Sequence, residues 1–219
     1  NLYSNKGFAL VYDDNLYKKK IISKKLDSRS LKIFQKNLKK NTTVKIRNMI
    51  NEKTLIAKVG SKASYPSFNN SVISSRIAKE LNLTQEEPYI EIISIPDNSM
   101  FIAKRAKTYD EEKQVANKAP VDGISINDLN TKKEKIKKKN TSNFSYTIKI
   151  ADFYYNKTAL LMVKRIKSET NIKNPKILKL SSNKHRVYLG PFDNINSLQI
   201  SFNDINVLEF ENIEIIKND

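Results

Sequence analysis

Apolar and polar residues alternate in two related stretches near the C-terminal end of the chain. Residues 146–153 read Tyr-Thr-Ile-Lys-Ile-Ala-Asp-Phe, and residues 185–192 read His-Arg-Val-Tyr-Leu-Gly-Pro-Phe. Alternation with a period of two is typical of a half-buried β-strand. Each stretch closes with a small residue, a turn residue and a phenylalanine, and an apolar pattern with helical spacing follows it. The chain therefore contains a strand–helix unit that is used twice.

The C-terminal segment as a whole predicts the element order β-α-β-β-α-β. We expect strands over residues 146–150, 176–180, 186–189 and 213–216. The first helix is expected to begin with Asn156 as its N-cap, and the second follows the strand that ends in Gly-Pro-Phe. Two β-α-β units that close one antiparallel sheet, with both helices on one face, form a ferredoxin-like arrangement.

The alternation also predicts which side chains lie on each face of this sheet. Those expected to face the helices are Ile148, Ile150, Val187 and Leu189, and those expected to face away are Thr147, Lys149, Arg186 and Tyr188. The second set is polar, basic and aromatic. Such a mixture suits a carbohydrate or a nucleotide, because an aromatic ring covers an apolar ligand face while Arg and Lys donate hydrogen bonds.

The first hundred residues are predicted to be rich in β-structure. Strands over residues 43–48 and 55–59 flank a turn at 51–53, and a later strand covers residues 89–93. Apolar residues at helical spacing predict one helix over residues 71–81. With only four glycines in the chain, a functional site built on a glycine-rich phosphate-binding loop is excluded.

Charge and composition narrow the classes of partner. The net charge is +17 and the pI is about 9.8, which predicts attraction to a polyanion. The excess is spread along the chain, and a lysine-rich stretch at 131–140 is typical of a solvated linker. We therefore divide the chain into a domain at 1–97, a basic linker at 98–143 and a domain at 144–219. The chain has no cysteine, and no apolar run is long enough to span a bilayer.

Residues 144 to about 217 resemble the SPOR domain. That family has an aromatic-x-Val-Gln-x-Gly-x-Phe first strand and an Arg-Val-x-x-Gly-Pro-Phe third strand. The second motif is intact at 186–192, whereas Lys149 and Ala151 replace the Gln and Gly of the first. The resemblance implies binding of peptidoglycan, preferentially glycan strands stripped of stem peptides, on the exposed sheet face. The glycan-binding residues expected from it are Thr147, Lys149, Lys179, Arg186 and Tyr188.

The N-terminal part is similar to rare lipoprotein A, a family of bacterial lytic transglycosylases with a double-psi β-barrel. Residues 38–48 resemble Leu-Pro-x-Gly-Thr-x-Val-x-Val-x-Asn without its Pro and Gly. Residues 57–63 lie where Val-x-Val-x-Asp-Arg-Gly is expected, and residues 71–74 lie over Arg-Ile-Ile-Asp. The combined resemblance implies a fold that is mostly β plus α+β, with a double-psi β-barrel-like domain followed by the ferredoxin-like SPOR domain.

This chain departs from the barrel family at the positions that carry chemistry. The expected catalytic Asp aligns with Ser61, the upstream His with Gln35 and a second Asp with Ser74. Cleavage of a glycosidic bond requires a group that protonates the leaving oxygen, and losing a general acid costs roughly 10²- to 10⁴-fold in rate. The single histidine, His185, lies in the other domain and is expected on the surface. We therefore expect no catalytic residues, no metal site and no cofactor.

The leading hypothesis is a monomeric, non-catalytic glycan-binding protein of the cell envelope, linked to cell division or wall remodelling. The resemblance places it in the periplasm or at the outer membrane of a Gram-negative bacterium. Its expected partners are peptidoglycan glycan strands and divisome or envelope proteins, with no nucleic acid. The chain begins at Asn1, which we expect of a processed product, and a lipid anchor would lie outside these residues.

Two alternatives remain open. In the first, the chain is an active endolytic lytic transglycosylase that uses other carboxylates, for which Asp13, Asp14 and Glu52 are the candidates. In the second, the sheet binds RNA, because the β-α-β-β-α-β topology also serves in RNA-recognition domains. That module stacks bases on several sheet aromatics, whereas the outward set here offers Tyr188 alone.

Overall fold

A computed structural model describes residues 2–96 and 144–218, and its N-terminal part is a closed six-stranded β-barrel. The strands are β1 (Ser4–Val11), β2 (Lys32–Phe34), β3 (Thr43–Asn48), β4 (Thr54–Val59), β5 (Asn69–Ile73) and β6 (Tyr89–Ile95). Their order around the barrel is β1-β5-β2-β4-β3-β6. The β1–β5 and β2–β4 pairs are parallel, and the other pairs are antiparallel. Two short helices accompany the strands, α1 (Asp14–Lys18) and α2 (Ser75–Glu80).

The barrel closes around aliphatic side chains that alternate along its strands. Its fully buried members include Ile33, Val44, Ile46, Ile73, Ile90 and Ile92. The predicted hairpin of β3 and β4 and the predicted β6 are present. Because each of these strands places every second side chain in the barrel interior, the sequence pattern was sufficient to find them.

The predicted helix over residues 71–81 is wrong in its first half. Ile73 belongs to β5, where it pairs with Val11 and Ile33, and the helix begins only at Ser75. Ser74 separates the two elements, since its extended backbone and its side-chain oxygen cap the helix. The spacing of Ile73, Ile77 and Leu81 mimicked one long helix because a strand residue and two helix residues face the same core.

The C-terminal part is a four-stranded antiparallel sheet with two helices. Its elements are β7 (Tyr146–Phe153), α3 (Asn156–Glu169), β8 (Lys176–Ser181), β9 (Lys184–Phe192), α4 (Ile195–Asn206) and β10 (Glu214–Lys217). The strand order is β10-β7-β9-β8. The structure thus shows a mostly β fold with a closed barrel, a second sheet and few helices. Asn156 is the first residue of α3 rather than its N-cap, and Tyr155 at the cap position makes no side-chain cap bond.

The two repeated stretches form the two central strands of this sheet. They run antiparallel, so that Tyr146 lies opposite Phe192 and Phe153 lies opposite His185. Gly190 of the Gly-Pro-Phe ending has φ +111°, and a Cβ there would approach the Tyr146 carbonyl oxygen to 3.0 Å. Only glycine adopts that backbone conformation without strain. The glycine of the motif is therefore a requirement of the strand ending.

One face of the sheet is covered by both helices, as the alternation predicted. The inward side chains Ile148, Ile150, Val187 and Leu189 are each at most 2% exposed. They form one core with the buried helix residues Ala159, Ile166, Leu198, Phe202 and Ile205. The prediction of the inward face is confirmed.

The barrel and the sheet belong to one compact unit, joined by aromatic rings and a buried carboxylate. The ring of Tyr146 at the start of β7 lies 5.0 Å from those of Phe8 and Tyr89 in the barrel. Glu87, only 7% exposed, accepts hydrogen bonds from the Tyr146 hydroxyl (2.7 Å) and from Nζ of Lys217 (2.5 Å). The predicted linker at 98–143 lies outside the described residues.

No helix within residues 2–96 and 144–218 is long and apolar enough to cross a membrane.

Candidate functional site

The helix-free face of the C-terminal sheet carries four of the five predicted glycan-binding residues. Lys149 on β7 lies directly opposite Tyr188 on β9, so their side chains share one face. Thr147 and Arg186 stand two residues away along the same strands, and all four side chains are half-buried. These four residues are called the open face below.

Lys179 is placed apart from the open face. In the β8–β9 register it lies opposite His185, whose side chain is 8% exposed on the helix side of the sheet. The expectation that His185 lies on the surface was wrong. β9 begins at Lys184, two residues earlier than predicted, and the alternation of the strand places the His185 side chain on the buried face. The lysine that does lie beside the open face is Lys176, opposite Tyr188.

Arg186 is held by a carboxylate that the sequence analysis missed. Its Nε and Nη2 donate to the two carboxylate oxygens of Asp152 at 2.8 and 3.0 Å, and Nζ of Lys184 lies 3.3 Å from Oδ2. The hydrogen bonds from Arg186 lower the pKa of Asp152 to about 2 and raise the pKa of Arg186. The signal was the antiparallel register of the two repeats, which sets Asp152 opposite Arg186.

A second ion pair lies at the edge of the open face. Nζ of Lys149 lies 3.1 Å from Oε2 of Glu214 on the edge strand β10, and the Glu214 side chain is 57% exposed. Tyr188 is thereby placed between two lysine-bearing strands, with Lys149 on one side and Lys176 on the other. An aromatic ring flanked by hydrogen-bond donors is an arrangement that recognises the ring face and hydroxyl groups of a sugar.

In the barrel, Gln35 and Ser74, two of the residues expected to align with catalytic groups, make hydrogen bonds within the fold. Gln35 is 4% exposed; its amide nitrogen donates to the Tyr3 hydroxyl and its amide oxygen accepts from Leu38 N at 3.2 Å. Ser74 is fully buried, accepts from Ile77 N at 3.2 Å and donates to Ser30 O at 2.6 Å. Neither side chain is free to handle a substrate proton.

Of Gln35, Ser61 and Ser74, only the first two lie at the same end of the barrel. Gln35 follows β2 and Ser61 follows β4, and because these strands are parallel both residues lie at the same end of the barrel. Ser74 follows β5, which runs antiparallel to β2, so it lies at the opposite end.

The alternative catalytic carboxylates lie in two separate places. Asp13 and Asp14 line a cavity of about 570 Å³ together with Asp27. Asp13 caps α1 by accepting from Asn15 N at 3.0 Å, and Asp14 accepts from the Tyr12 hydroxyl at 2.9 Å. Glu52 lies in the β3–β4 turn and is ion-paired with Arg47. Each of these carboxylates already has a structural partner.

A larger cleft of about 910 Å³ lies between the barrel and β10, and we call it the barrel–sheet cleft. Its barrel wall includes Asn5, Lys36, Tyr65 and Asn70, and its sheet wall is formed by residues 213–217. Glu214 is the one carboxylate among the described residues that line it. Nothing in the sequence pattern indicated this cleft, because it depends on how β10 meets the barrel.

The polar wall of the cleft is held in place by Tyr65. Lys36 donates from Nζ to the Tyr65 carbonyl at 2.9 Å, with Nζ 4.3 Å from the ring centroid, and the Tyr65 hydroxyl donates to Asn70 O at 3.1 Å. Burial lowers the pKa of Lys36 and raises the pKa of Tyr65 to about 12. The cleft therefore presents fixed amide, hydroxyl and ammonium groups.

No known protein family matches the chain, and no curated protein matches it. The open face and the barrel–sheet cleft are therefore the features from which a function is inferred.

Proposed function

We propose that this protein is a non-catalytic peptidoglycan-binding protein of the bacterial cell envelope. In this proposal the barrel is a double-psi β-barrel of the rare lipoprotein A type, and the C-terminal sheet with its helices is a SPOR domain. The observation that carries the proposal is the open face, where Lys149 and Tyr188 lie opposite each other on a sheet surface that no helix covers.

The chemistry of the open face suits a glycan strand. The Tyr188 ring offers an apolar platform for the face of a sugar, while Thr147 and Lys149 offer hydrogen-bonding groups beside it. Arg186 is fixed by its two bonds to Asp152, so little conformational entropy is lost when a ligand contacts it. A glycan stripped of stem peptides carries lactyl carboxylates, and lysine side chains attract them.

The barrel supports binding without cleavage. Gln35, Ser61 and Ser74 stand where the family has its acid and base groups, and none of them titrates usefully near neutral pH. Glu214, the carboxylate in the barrel–sheet cleft, is paired with Lys149.

Location and partners follow from the same proposal. A protein that binds denuded glycan acts in the periplasm or at the outer membrane, where wall remodelling and cell division produce such strands. Divisome or envelope proteins are its proposed protein partners.

The test is retention on purified denuded sacculi. Tyr188→Ala, alone and with Lys149→Ala, is expected to abolish retention while leaving thermal unfolding unchanged. Lys167→Ala on α3 removes an exposed lysine away from the open face and serves as the matched control. Unchanged retention of the Tyr188→Ala protein would place glycan binding elsewhere.

Two further measurements separate the alternatives. A zymogram on denuded glycan is expected to show no clearing, and robust cleavage would establish an enzyme. An electrophoretic shift assay with single-stranded RNA, at stated salt, is expected to show no binding that depends on Tyr188. An RNA shift abolished by Tyr188→Ala would instead assign the open face to RNA.

A further inference from the structure

We propose that the outer edge of β8 is a docking site for an extended acidic segment of a partner protein, which joins the C-terminal sheet as a fifth strand. The segment that fits this edge carries an acidic, two apolar and an acidic residue in succession. This inference goes beyond the proposed function, because it concerns an edge of the sheet rather than the open face and does not require that glycan binds.

The two edge strands of the sheet differ in what lies against them. At β10, the hydroxyl of Tyr89 in the barrel donates to the carbonyl oxygen of Ile215 at 3.3 Å. At β8, the only strand that pairs is β9, among the residues that the structure describes. Every second residue of such an edge directs its N–H and C=O groups away from the neighbouring strand. β8 therefore offers backbone hydrogen-bonding groups to a further strand.

The side chains of β8 are unusually exposed for apolar residues. Five of the six residues of the strand are exposed, and Leu178 and Leu180 are exposed to 47% and 41%. Regular pairing with β9 runs from Lys176 to Lys179, and a bulge follows it. The stretch that can accept another strand is therefore the four-residue sequence Lys-Ile-Leu-Lys.

The charge around β8 selects an acidic partner. Residues 173–184 contain four lysines and no aspartate or glutamate. Lys176 and Lys179 are exposed and form no ion pair among residues 2–96 and 144–218. The Asp152 carboxylate on the central strand β7 is already bonded to Arg186 and Lys184. Opposite charges on paired strands stabilise a sheet, so carboxylates are the groups that these lysines lack.

The order of residues along β8 determines the pattern of the partner strand. Residues directly opposite each other on paired strands interact most strongly. Carboxylates opposite Lys176 and Lys179, and apolar side chains opposite Ile177 and Leu178, give the sequence acidic, apolar, apolar, acidic. This pattern reads the same in both directions, so a parallel and an antiparallel segment meet the same side chains. Addition of an extended segment to a sheet edge is a common mode of peptide recognition.

A second copy of this chain fits the same edge poorly. Antiparallel pairing of residues 176–179 with themselves would match Ile177 with Leu178, but it would set Lys176 of each copy opposite Lys179 of the other. Like charges directly opposite each other destabilise a strand pair. Lysines on an edge strand are also a common protection against association with a like copy. The edge is therefore suited to an acidic partner and not to itself.

The experiment titrates the isotope-labelled full chain with the capped peptide Ser-Glu-Val-Val-Glu-Ser and follows amide chemical shifts by NMR. We expect the shifts to concentrate on residues 176–181. Lys179→Glu should weaken the peptide about tenfold, because it replaces an attractive pair by a repulsive one. Lys58→Glu, which reverses an exposed lysine on strand β4 of the barrel, is the matched control and should bind the peptide normally.

Two altered peptides test the two parts of the recognition separately. The peptide with lysine in place of both glutamates should not bind the unaltered protein, and it should bind the double variant Lys176→Glu with Lys179→Glu. The peptide with N-methylated valines loses backbone donors but keeps its charges, and we expect it not to bind. This last measurement uses the unaltered protein, so it remains decisive if a variant fails to fold.

Three results would overturn the inference. The first is the absence of shifts at β8 with the unmodified peptide, and the second is equal binding of the N-methylated peptide. The third is a dimer of the unaltered protein in sedimentation that Leu178→Asp dissociates, which would assign the edge to a second copy.

The outcomes also separate this inference from the proposed function. Lys179→Glu should lose the peptide and keep its retention on sacculi, whereas Tyr188→Ala should lose retention and keep the peptide. Retention lost in Tyr188→Ala without any peptide binding refutes the docking edge and leaves the open-face proposal standing. Peptide binding with retention unchanged in Tyr188→Ala establishes the docking edge and refutes the open face.

Discussion

On the open face of the C-terminal sheet, Lys149 and Tyr188 lie opposite each other and are partly exposed, whereas Gln35 and Ser74 in the barrel are buried and bonded to neighbouring groups. Both regions are built from alternating strands, so the difference does not come from the type of secondary structure. It comes from closure. A closed barrel turns polar side chains at its strand ends into caps and turn anchors, while an open sheet leaves one face in contact with solvent.

The open-face residues also differ in how firmly neighbouring side chains hold them. Arg186 is fixed, because Asp152 accepts hydrogen bonds from two of its nitrogen donors. Tyr188, which has lysine-bearing strands on both sides, is the open-face residue whose ring offers a platform.

Gly190→Ala should have the largest effect on stability, because it strains the backbone of β9, the strand that carries Arg186 and Tyr188 of the open face. The backbone at φ +111° and the 3.0 Å approach to the Tyr146 carbonyl oxygen both oppose a Cβ. We expect a loss of about 2–4 kcal/mol in the free energy of unfolding, measured by urea denaturation.

Gly60→Ala in the barrel is the matched control. Its Cβ would make ordinary contacts of 3.4 Å, and its φ is not in the left-handed region. A change below about 1 kcal/mol is expected. Equal losses in the two variants would show that the Gly190 conformation is not what demands glycine in the motif.

Glu87→Ala should have the next largest effect, because it removes the carboxylate at the junction of the barrel and the sheet. Tyr146 is fully buried and would lose its acceptor, while Lys217, whose side chain is 33% exposed, can turn to water. The expected loss is about 2–3 kcal/mol. Glu86→Ala, which alters an exposed neighbour, should change the stability by less than about 0.5 kcal/mol.

The sequence predicted the sheet better than the barrel for a physical reason. In β7 and β9 one face is buried and the other is not, so the period of two is visible at Ile148 and Val187. In two barrel strands the alternation of apolar and polar residues is not visible. β2 is only three residues long, and β5 has three consecutive buried residues up to Ile73. Short or fully buried strands carry little periodic signal.

The candidate sites were predictable to a similar, limited degree. Alternation placed Lys149 and Tyr188 on the open face, but the Asp152–Arg186 pair required the register between two strands. The barrel–sheet cleft required more, because it depends on contacts of Glu87 with Tyr146 and Lys217, which lie 59 and 130 residues away along the chain. Local patterns do not encode contacts between residues this far apart in the chain.

The stability that the Asp152–Arg186 pair contributes to the sheet depends on pH. Its folded-state pKa of about 2 lies below the ordinary value of 3.8, chiefly because Arg186 donates to it. The pair therefore contributes stability above about pH 4, and the contribution is lost as the pH falls toward 2. With the side chain 19% exposed, we expect about 1–2 kcal/mol. Unfolding of the unaltered protein and of Asp152→Asn should differ at pH 6 and converge at pH 2; a constant difference would contradict this.

Ser74→Ala and Ser61→Ala test the smallest expected difference, within the barrel itself. Ser74 caps α2 and is fully buried, so its loss should cost about 1 kcal/mol, or somewhat more because the Ser30 carbonyl also loses its donor. Ser61, which follows β4 and is only half-buried, should cost less than about 0.5 kcal/mol. Urea denaturation measures both. Unequal costs would show that Ser74 contributes to folding stability and that Ser61 does not. Equal and negligible costs would mean that Ser74 is not the helix cap that its geometry indicates.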